Sequence, residues 1–130
     1  MDIKQIFVVF AVVMLTLAGH SAKAQDTSTP VVRIAELEID PAQMEAYSAA
    51  VKVEMETSIR VEPGVLALYA VSIKGKPNHL RFFEMYADNA AYEAHRDSAH
   101  FKTYVATTKD MILDRKLFET DNFQLSAKQQ

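Results

Sequence analysis

No cysteine occurs anywhere in the sequence. That removes disulfides, thiolate metal sites and cysteine nucleophiles, and it leaves no thiol to carry a lipid anchor. Tryptophan is absent as well, so no chemistry that depends on an indole is available. Glycine is sparse, with three residues in 130. No Gly-rich loop exists to cradle a phosphate, which counts against a nucleotide or flavin held in that way. Positive charge is also short: 14 Lys and Arg stand against 17 Asp and Glu, for a net charge of −3. The basic residues are scattered, with Arg115-Lys116 as their one adjacent pair. A nucleic-acid surface needs a basic stripe, so no nucleic-acid partner is expected. Long apolar runs are missing too. Ile6 to Leu17 spans 12 residues, against the roughly 20 that cross a bilayer as a helix.

That short run has a different use. Lys4 precedes it, and Ala22-Lys23-Ala24 follows it with the small-x-small pattern that signal peptidase accepts. Residues 1–24 are therefore expected to be a cleaved signal peptide, and the mature protein to be periplasmic or secreted with no stable membrane anchor. Cleavage removes two lysines and one aspartate, taking the net charge from −3 to −4. Residues 25–30 read as a flexible polar leader, 31–126 as one domain and 127–130 as a tail. About 106 residues suffice for a single core, and without disulfides that core must hold the domain alone.

Val31 to Ile39 is rich in β-branched residues and reads as a strand. In Asp40-Pro41-Ala42-Gln43, Asp40 can cap a helix, Pro41 suits its first position, and Gln43 sits where a capping box reaches back. Met44, Tyr47, Val51, Met55 and Ser58 then recur at three or four residues, giving one buried stripe. Glu62-Pro63-Gly64 ends the helix. Val65 to Ile73 predicts a second strand, Lys74 to Asn78 a turn, and His79 to Tyr86 a third strand completing a hairpin. Asp88 can cap a short helix to about Arg96. Ser98 can cap another, with Phe101, Tyr104, Val105 and Thr108 inward. Lys116 to Leu125 reads as the last strand. The order β-α-β-β-α-α-β fits an α+β, ferredoxin-like split βαβ fold with an antiparallel sheet.

The second strand carries Val65, Ala67, Tyr69 and Val71 on one face and Leu66, Leu68 and Ala70 on the other. The third sets Phe83 and Met85 opposite Leu80, Phe82 and Tyr86. A sheet with helices on one side only should alternate apolar with polar. Both faces want burial here, and a homodimer packing sheet to sheet would supply it.

The stretch Glu84-Met85-Tyr86-Ala87-Asp88-Asn89-Ala90-Ala91-Tyr92-Glu93-Ala94-His95-Arg96-Asp97-Ser98-Ala99-His100-Phe101 resembles the strand-to-helix signature of the antibiotic biosynthesis monooxygenase (ABM) family. Ser58 to Tyr69 is similar to that family's first-helix exit and second strand. The resemblance spans about Val31 to Leu125. It implies a dimeric α/β barrel with a pocket in each subunit between sheet and helices, and a chemistry that varies among members. Some oxidise quinols or anthrones with O2 and no cofactor, some isomerise or break down small signalling molecules, and some degrade haem. The haem-degrading branch relies on a Trp that this chain lacks, and Tyr86 stands where many members carry Trp.

Glu84 lies between Phe82 and Tyr86 on one strand face and should be partly buried, with His95 on the following helix as its natural partner. The pair reads either as an acid/base couple or as a hydrogen bond docking helix to sheet. His100, in the first turn of the next helix, reads as a second imidazole of the same cavity or as a helix-start residue bonding a loop. Glu84, His95 and His100 have the composition of a two-His-one-carboxylate iron site, but their spacing is not diagnostic and no metal is expected. Tyr69, Tyr86, Tyr92 and Phe83 are candidates to stack on a flat aromatic substrate, or to be core. Arg60 and Ser58 could orient a carbonyl or phenolate. The expected activity is cofactor-independent oxidation of a small aromatic quinol, phenol or anthrone with O2, started by a general base. The alternatives are a non-catalytic exported small-molecule-binding dimer, and an isomerase or degradation enzyme for a small carbonyl signalling compound.

Overall fold

The computed structural model describes residues 29–128. The expected signal segment 1–24 and leader residues 25–28 lie outside the described residues. Among the described residues, no helix is long and apolar enough to cross a membrane. Strand β1 (Val31–Ile39) leads through a 3-10 turn (Pro41–Gln43) into helix α1 (Met44–Val61). Strands β2 (Val65–Ile73) and β3 (Lys76–Tyr86) form a hairpin, helices α2 (Asn89–Asp97) and α3 (Ala99–Thr108) follow, and a second 3-10 turn (Lys109–Met111) precedes β4 (Ile112–Glu119). The strands lie in the order β2-β3-β1-β4, every pairing antiparallel. The two central strands are thus the first and third of the chain, as in the expected α+β split βαβ plan.

The caps explain where the helices begin. Asp40 accepts from the Ala42 N–H at 2.9 Å, Asp88 from the Ala91 N–H at 2.7 Å, and Ser98 from the Phe101 N–H at 3.3 Å. Gln43 makes no capping box; its Nε2 reaches the Asp110 carbonyl at 3.4 Å instead. The hairpin turn is tighter than composition implied. It has two residues, Lys74 and Gly75, with Gly75 at φ +79°, where a side chain would be strained. The last strand is corrected as well. It runs 112–119 rather than 116–125, because Asp114 and Arg115, charged residues on an exposed edge strand, do not carry a strand pattern.

All three helices cover one face of the sheet. The apolar core lies at one end of that face, from Ala35, Leu37 and Ile39 of β1, Leu80 and Phe82 of β3, and Tyr47 of α1. Val105, expected inward, is more than a third exposed. The opposite sheet face is uncovered: Tyr69 and Val71 are 64% and 60% exposed. A bulge between Val65 and Ala67 also turns Val65 to the helix side, where it is buried, so it does not share a face with Tyr69 as strict alternation would have it.

Candidate active site

The helix-covered face changes character along its length. On β1, Ile39, Leu37 and Ala35 give way to Arg33, and on β3, Leu80 and Phe82 give way to Glu84 and Tyr86. On α1, the stripe of Met44, Tyr47 and Val51 gives way to Glu54 and Ser58. All three elements switch at the same end. The result is an interior with Glu54 at 6% exposure, His95 at 3% and Ser58 at zero. Burying such groups is costly unless they satisfy one another.

They do so through two sets of contacts. In the first, the His95 Nδ1 lies 2.9 Å from Glu62 Oε2, and the His100 Nε2 lies 2.7 Å from the same oxygen. The other ring nitrogen of His95, Nε2, faces Glu54 Oε1 at 3.5 Å. The Ser58 hydroxyl lies 2.7 Å from that Glu54 oxygen and 2.9 Å from the Glu54 carbonyl. In the second set the Tyr86 hydroxyl donates to Glu84 Oε2 at 2.8 Å. Glu84 stands opposite Arg33 across the β1–β3 register. Aromatic rings wall the group: Phe101 and Tyr86 lie 4.8 and 5.3 Å from the His95 ring, centre to centre.

The expected Glu84–His95 hydrogen bond is therefore corrected. His95 turns to Glu54 and Glu62 on either side of it, and Glu84 is held by Tyr86. Of the other candidates, His100, Tyr86 and Ser58 join the cluster. Tyr92 packs edge-on against Tyr86 at 5.2 Å, beneath the Arg33 guanidinium at 4.6 Å from its ring centre. Tyr69 and Phe83 pair with each other, 6.4 Å apart, on the uncovered face, and Arg60 is exposed on α1. None of those three can line this interior.

The missed residues are Glu54, Glu62, Arg33, Tyr47 and Tyr104. Glu54 had a signal: it falls three after Val51 and four before Ser58, so it lies on the buried stripe of α1. Glu62 had none, being read as part of the turn that ends the helix. Tyr47 and Tyr104 share a hydroxyl–hydroxyl bond of 2.7 Å beside the cluster. The buried Arg33 Nε has no hydrogen-bond partner among the described residues.

Burial pushes the Glu84 carboxyl up from its ordinary 4.5, with Glu54 adding to the rise; the Tyr86 bond, His95 and Arg33 offset this only in part. Burial would push Glu62 up as well, but the hydrogen bonds from His95 and His100 outweigh it and hold that carboxyl below 4.5. Burial drives the Tyr47 and Tyr86 phenols far upward, so both stay protonated donors. Glu54, His95 and His100 each offer a ligand atom within 4.8 Å of the others. A divalent cation, if one were held, would use Glu54 in place of the Glu84 that the composition of the sequence put forward. An open depression of about 470 Å³ lies along α2 and α3, with Arg96, Phe101, Lys102 and Val105 in its wall; of its lining, Phe101 is the residue whose ring packs on His95.

The antibiotic biosynthesis monooxygenase family model matches residues 30–107. The chain belongs to that family. A crystal structure from Bacteroides thetaiotaomicron, provisionally assigned as an antibiotic biosynthesis monooxygenase, shares 40% identity. The match covers 82% of this chain and 100% of that one at a TM-score of 0.75. A provisionally assigned monooxygenase from Lactobacillus acidophilus is 37% identical over 73% of this chain and 44% of its own, with a TM-score of 0.67. A Nitrosomonas europaea protein at 24% identity, covering 77% of this chain and 96% of its own at a TM-score of 0.70, shares the fold. Among proteins of curated function, none matches the sequence. The resemblance drawn from Glu84 to Phe101 thus holds at the level of family and fold. In this ABM domain that stretch supplies Glu84, Tyr86, His95 and His100 to one interior.

Proposed function

We propose that the protein is a monooxygenase that oxidises a small, electron-rich aromatic (a quinol, phenol or anthrone) with O2 and without a resident cofactor. The observation that carries this reading is the polar end of the interior, where three carboxylates, two imidazoles and the half-buried Arg33, its Nε fully covered, replace an apolar core. Such a concentration costs stability, and it provides what the reaction needs. His95, flanked by carboxylates, Glu84, lifted by burial, and His100 are the base candidates; the Arg33 Nε–H is a buried donor for the developing oxyanion. Glu62 and His100 have side chains 14% and 18% exposed, so the substrate enters past them. Removal of a proton makes the substrate anion electron-rich enough to reduce oxygen itself. For an anthrone, a CH2 becomes C=O, one oxygen atom is retained and the other leaves as water with both hydrogens. No outside reductant is required.

We further propose that the uncovered sheet face packs against a second copy of the chain, and that the protein acts outside the cytoplasm after loss of residues 1–24. The functional reading is tested with ¹⁸O2, a panel of anthrones and quinols, and protein stripped of metal by chelator. The expected result is turnover unaffected by the chelator, with one labelled atom in the anthrone product. Binding without turnover, or activity restored only by added metal or flavin, would overturn it.

A further inference from the structure

We infer that Glu62 is the positioning residue of the site: its single oxygen Oε2 fixes the proton-bearing nitrogen of both imidazoles and so leaves His95 Nε2 as the atom that takes up a proton. The deduction starts from hydrogen-bonding capacity. An ionised carboxylate accepts and cannot donate. Glu62 Oε2 lies 2.9 Å from His95 Nδ1 and 2.7 Å from His100 Nε2, so both nitrogens carry hydrogen. The hydrogen bonds that lower the Glu62 pKa keep it in that ionised form.

Ser98 gives an independent check on His100. Its hydroxyl donates to the His95 carbonyl at 2.7 Å, which uses its only hydrogen. The same Oγ lies 3.2 Å from His100 Nε2 and can only accept there, which again places the hydrogen on Nε2 of His100. Two partners from different parts of the chain thus require the same tautomer. Neutral His100 accordingly keeps its lone pair on Nδ1.

For His95 the consequence concerns chemistry. With hydrogen on Nδ1, the neutral ring has its lone pair on Nε2, which points to the interior and lies 3.5 Å from Glu54 Oε1. That separation exceeds the 2.7–3.2 Å of a formed N–H···O bond. A proton taken from a substrate O–H or C–H forms the Nε2–H bond, while the electron pair stays on the substrate. The imidazolium so made lies between Glu54 and Glu62, which stabilise its charge. Ser58 holds Glu54 from α1, Tyr86 and Glu84 face the ring from β3, and Phe101 closes it from α3. Glu62 reaches the site from the turn after α1, so this one carboxylate ties that turn to both later helices.

The catalytic part of this inference rests on the monooxygenase reading; the tautomers do not. The test is long-range ¹H–¹⁵N correlation on histidine-labelled full-length protein near neutral pH, with Glu62→Gln and Glu62→Asp beside wild type. Wild type should show His95 protonated on Nδ1 and His100 on Nε2. Glu62→Gln, which can donate as well as accept, should scramble both assignments while circular dichroism stays native, and Glu62→Asp should partly restore them. Oxygen uptake should then fall about 10²- to 10⁴-fold in kcat for Glu62→Gln, the usual worth of a positioned base, with KM little changed. His95 protonated on Nε2 in wild type, or tautomers unchanged by Glu62→Gln, would overturn the inference. Tautomers as stated without any oxygen uptake would leave it standing and refute the monooxygenase reading instead.

Discussion

Glu84 sits where β3 passes from apolar core to polar interior, and its pH behaviour follows from that place. Its folded pKa is raised above 4.5, so the stability it contributes is full below the unfolded value and is lost as pH rises through the folded one. Glu62 runs the other way. Its folded pKa is lowered, so its contribution is present above the unfolded value and is lost as pH falls through the folded one. Glu84→Gln, which keeps an acceptor for the Tyr86 hydroxyl, should therefore gain stability relative to wild type as pH rises from 4.5 to 8. Glu62→Gln should be less stable than wild type by its full margin above pH 4.5, and that deficit should shrink as pH falls towards 3. Urea denaturation across that range checks both, and a Glu84→Gln difference that does not vary with pH would contradict the burial assigned to Glu84. At this scale the sequence revealed that Glu84 is partly buried, because its strand neighbours are apolar. It did not reveal the partner of His95. Glu62 lies 33 residues earlier in the chain, and no local pattern links a helix-ending turn to a later helix.

Elements were legible where a pattern was strong. The β-branched runs of β1 and β2 and the Asp88 and Ser98 caps lie where the sequence placed them. The edge strand β4 and the start of β3 do not. In β4 the exposed charged run Asp114-Arg115-Lys116 hides the alternation that marks a half-buried strand, whereas the other edge strand, β2, is apolar but for Ser72 and was legible. Pro77 lies in β3 beyond His79, where pairing with β1 ends, so its missing N–H costs no bond on that side. One close approach sets how α2 meets the rest. A Cβ built on Gly64 would lie 2.5 Å from the Ala91 Cβ, which brings the start of α2 against the turn that bears Glu62. Gly64→Ala should cost about 1–3 kcal/mol, as overpacking does, and should lower turnover by moving His95 away from Glu62. Thermal denaturation together with the His95 tautomer measurement checks this; a stable variant with unchanged tautomers would show that the approach is not needed.

For the whole molecule, one sheet face carries the helices and the other leaves Tyr69, Val71 and Phe118 exposed. Sedimentation equilibrium at micromolar concentration should give twice the chain mass, and a Tyr69→Asp, Val71→Asp double variant should give the single-chain mass with its circular dichroism unchanged. A monomeric wild type would contradict the proposed sheet-to-sheet packing. The central claim is that the polar end of the interior is a catalytic site, and oxygen consumption tests it most directly. Purified protein with no added flavin, haem or metal should consume oxygen with an electron-rich quinol faster than the quinol oxidises alone. The rate should rise as pH passes through the pKa of the base, since only its unprotonated form accepts the substrate proton. His95→Ala should lower that rate by about 10²- to 10⁴-fold. Equal oxygen consumption by wild type, His95→Ala and protein-free buffer across the substrate panel would contradict the account.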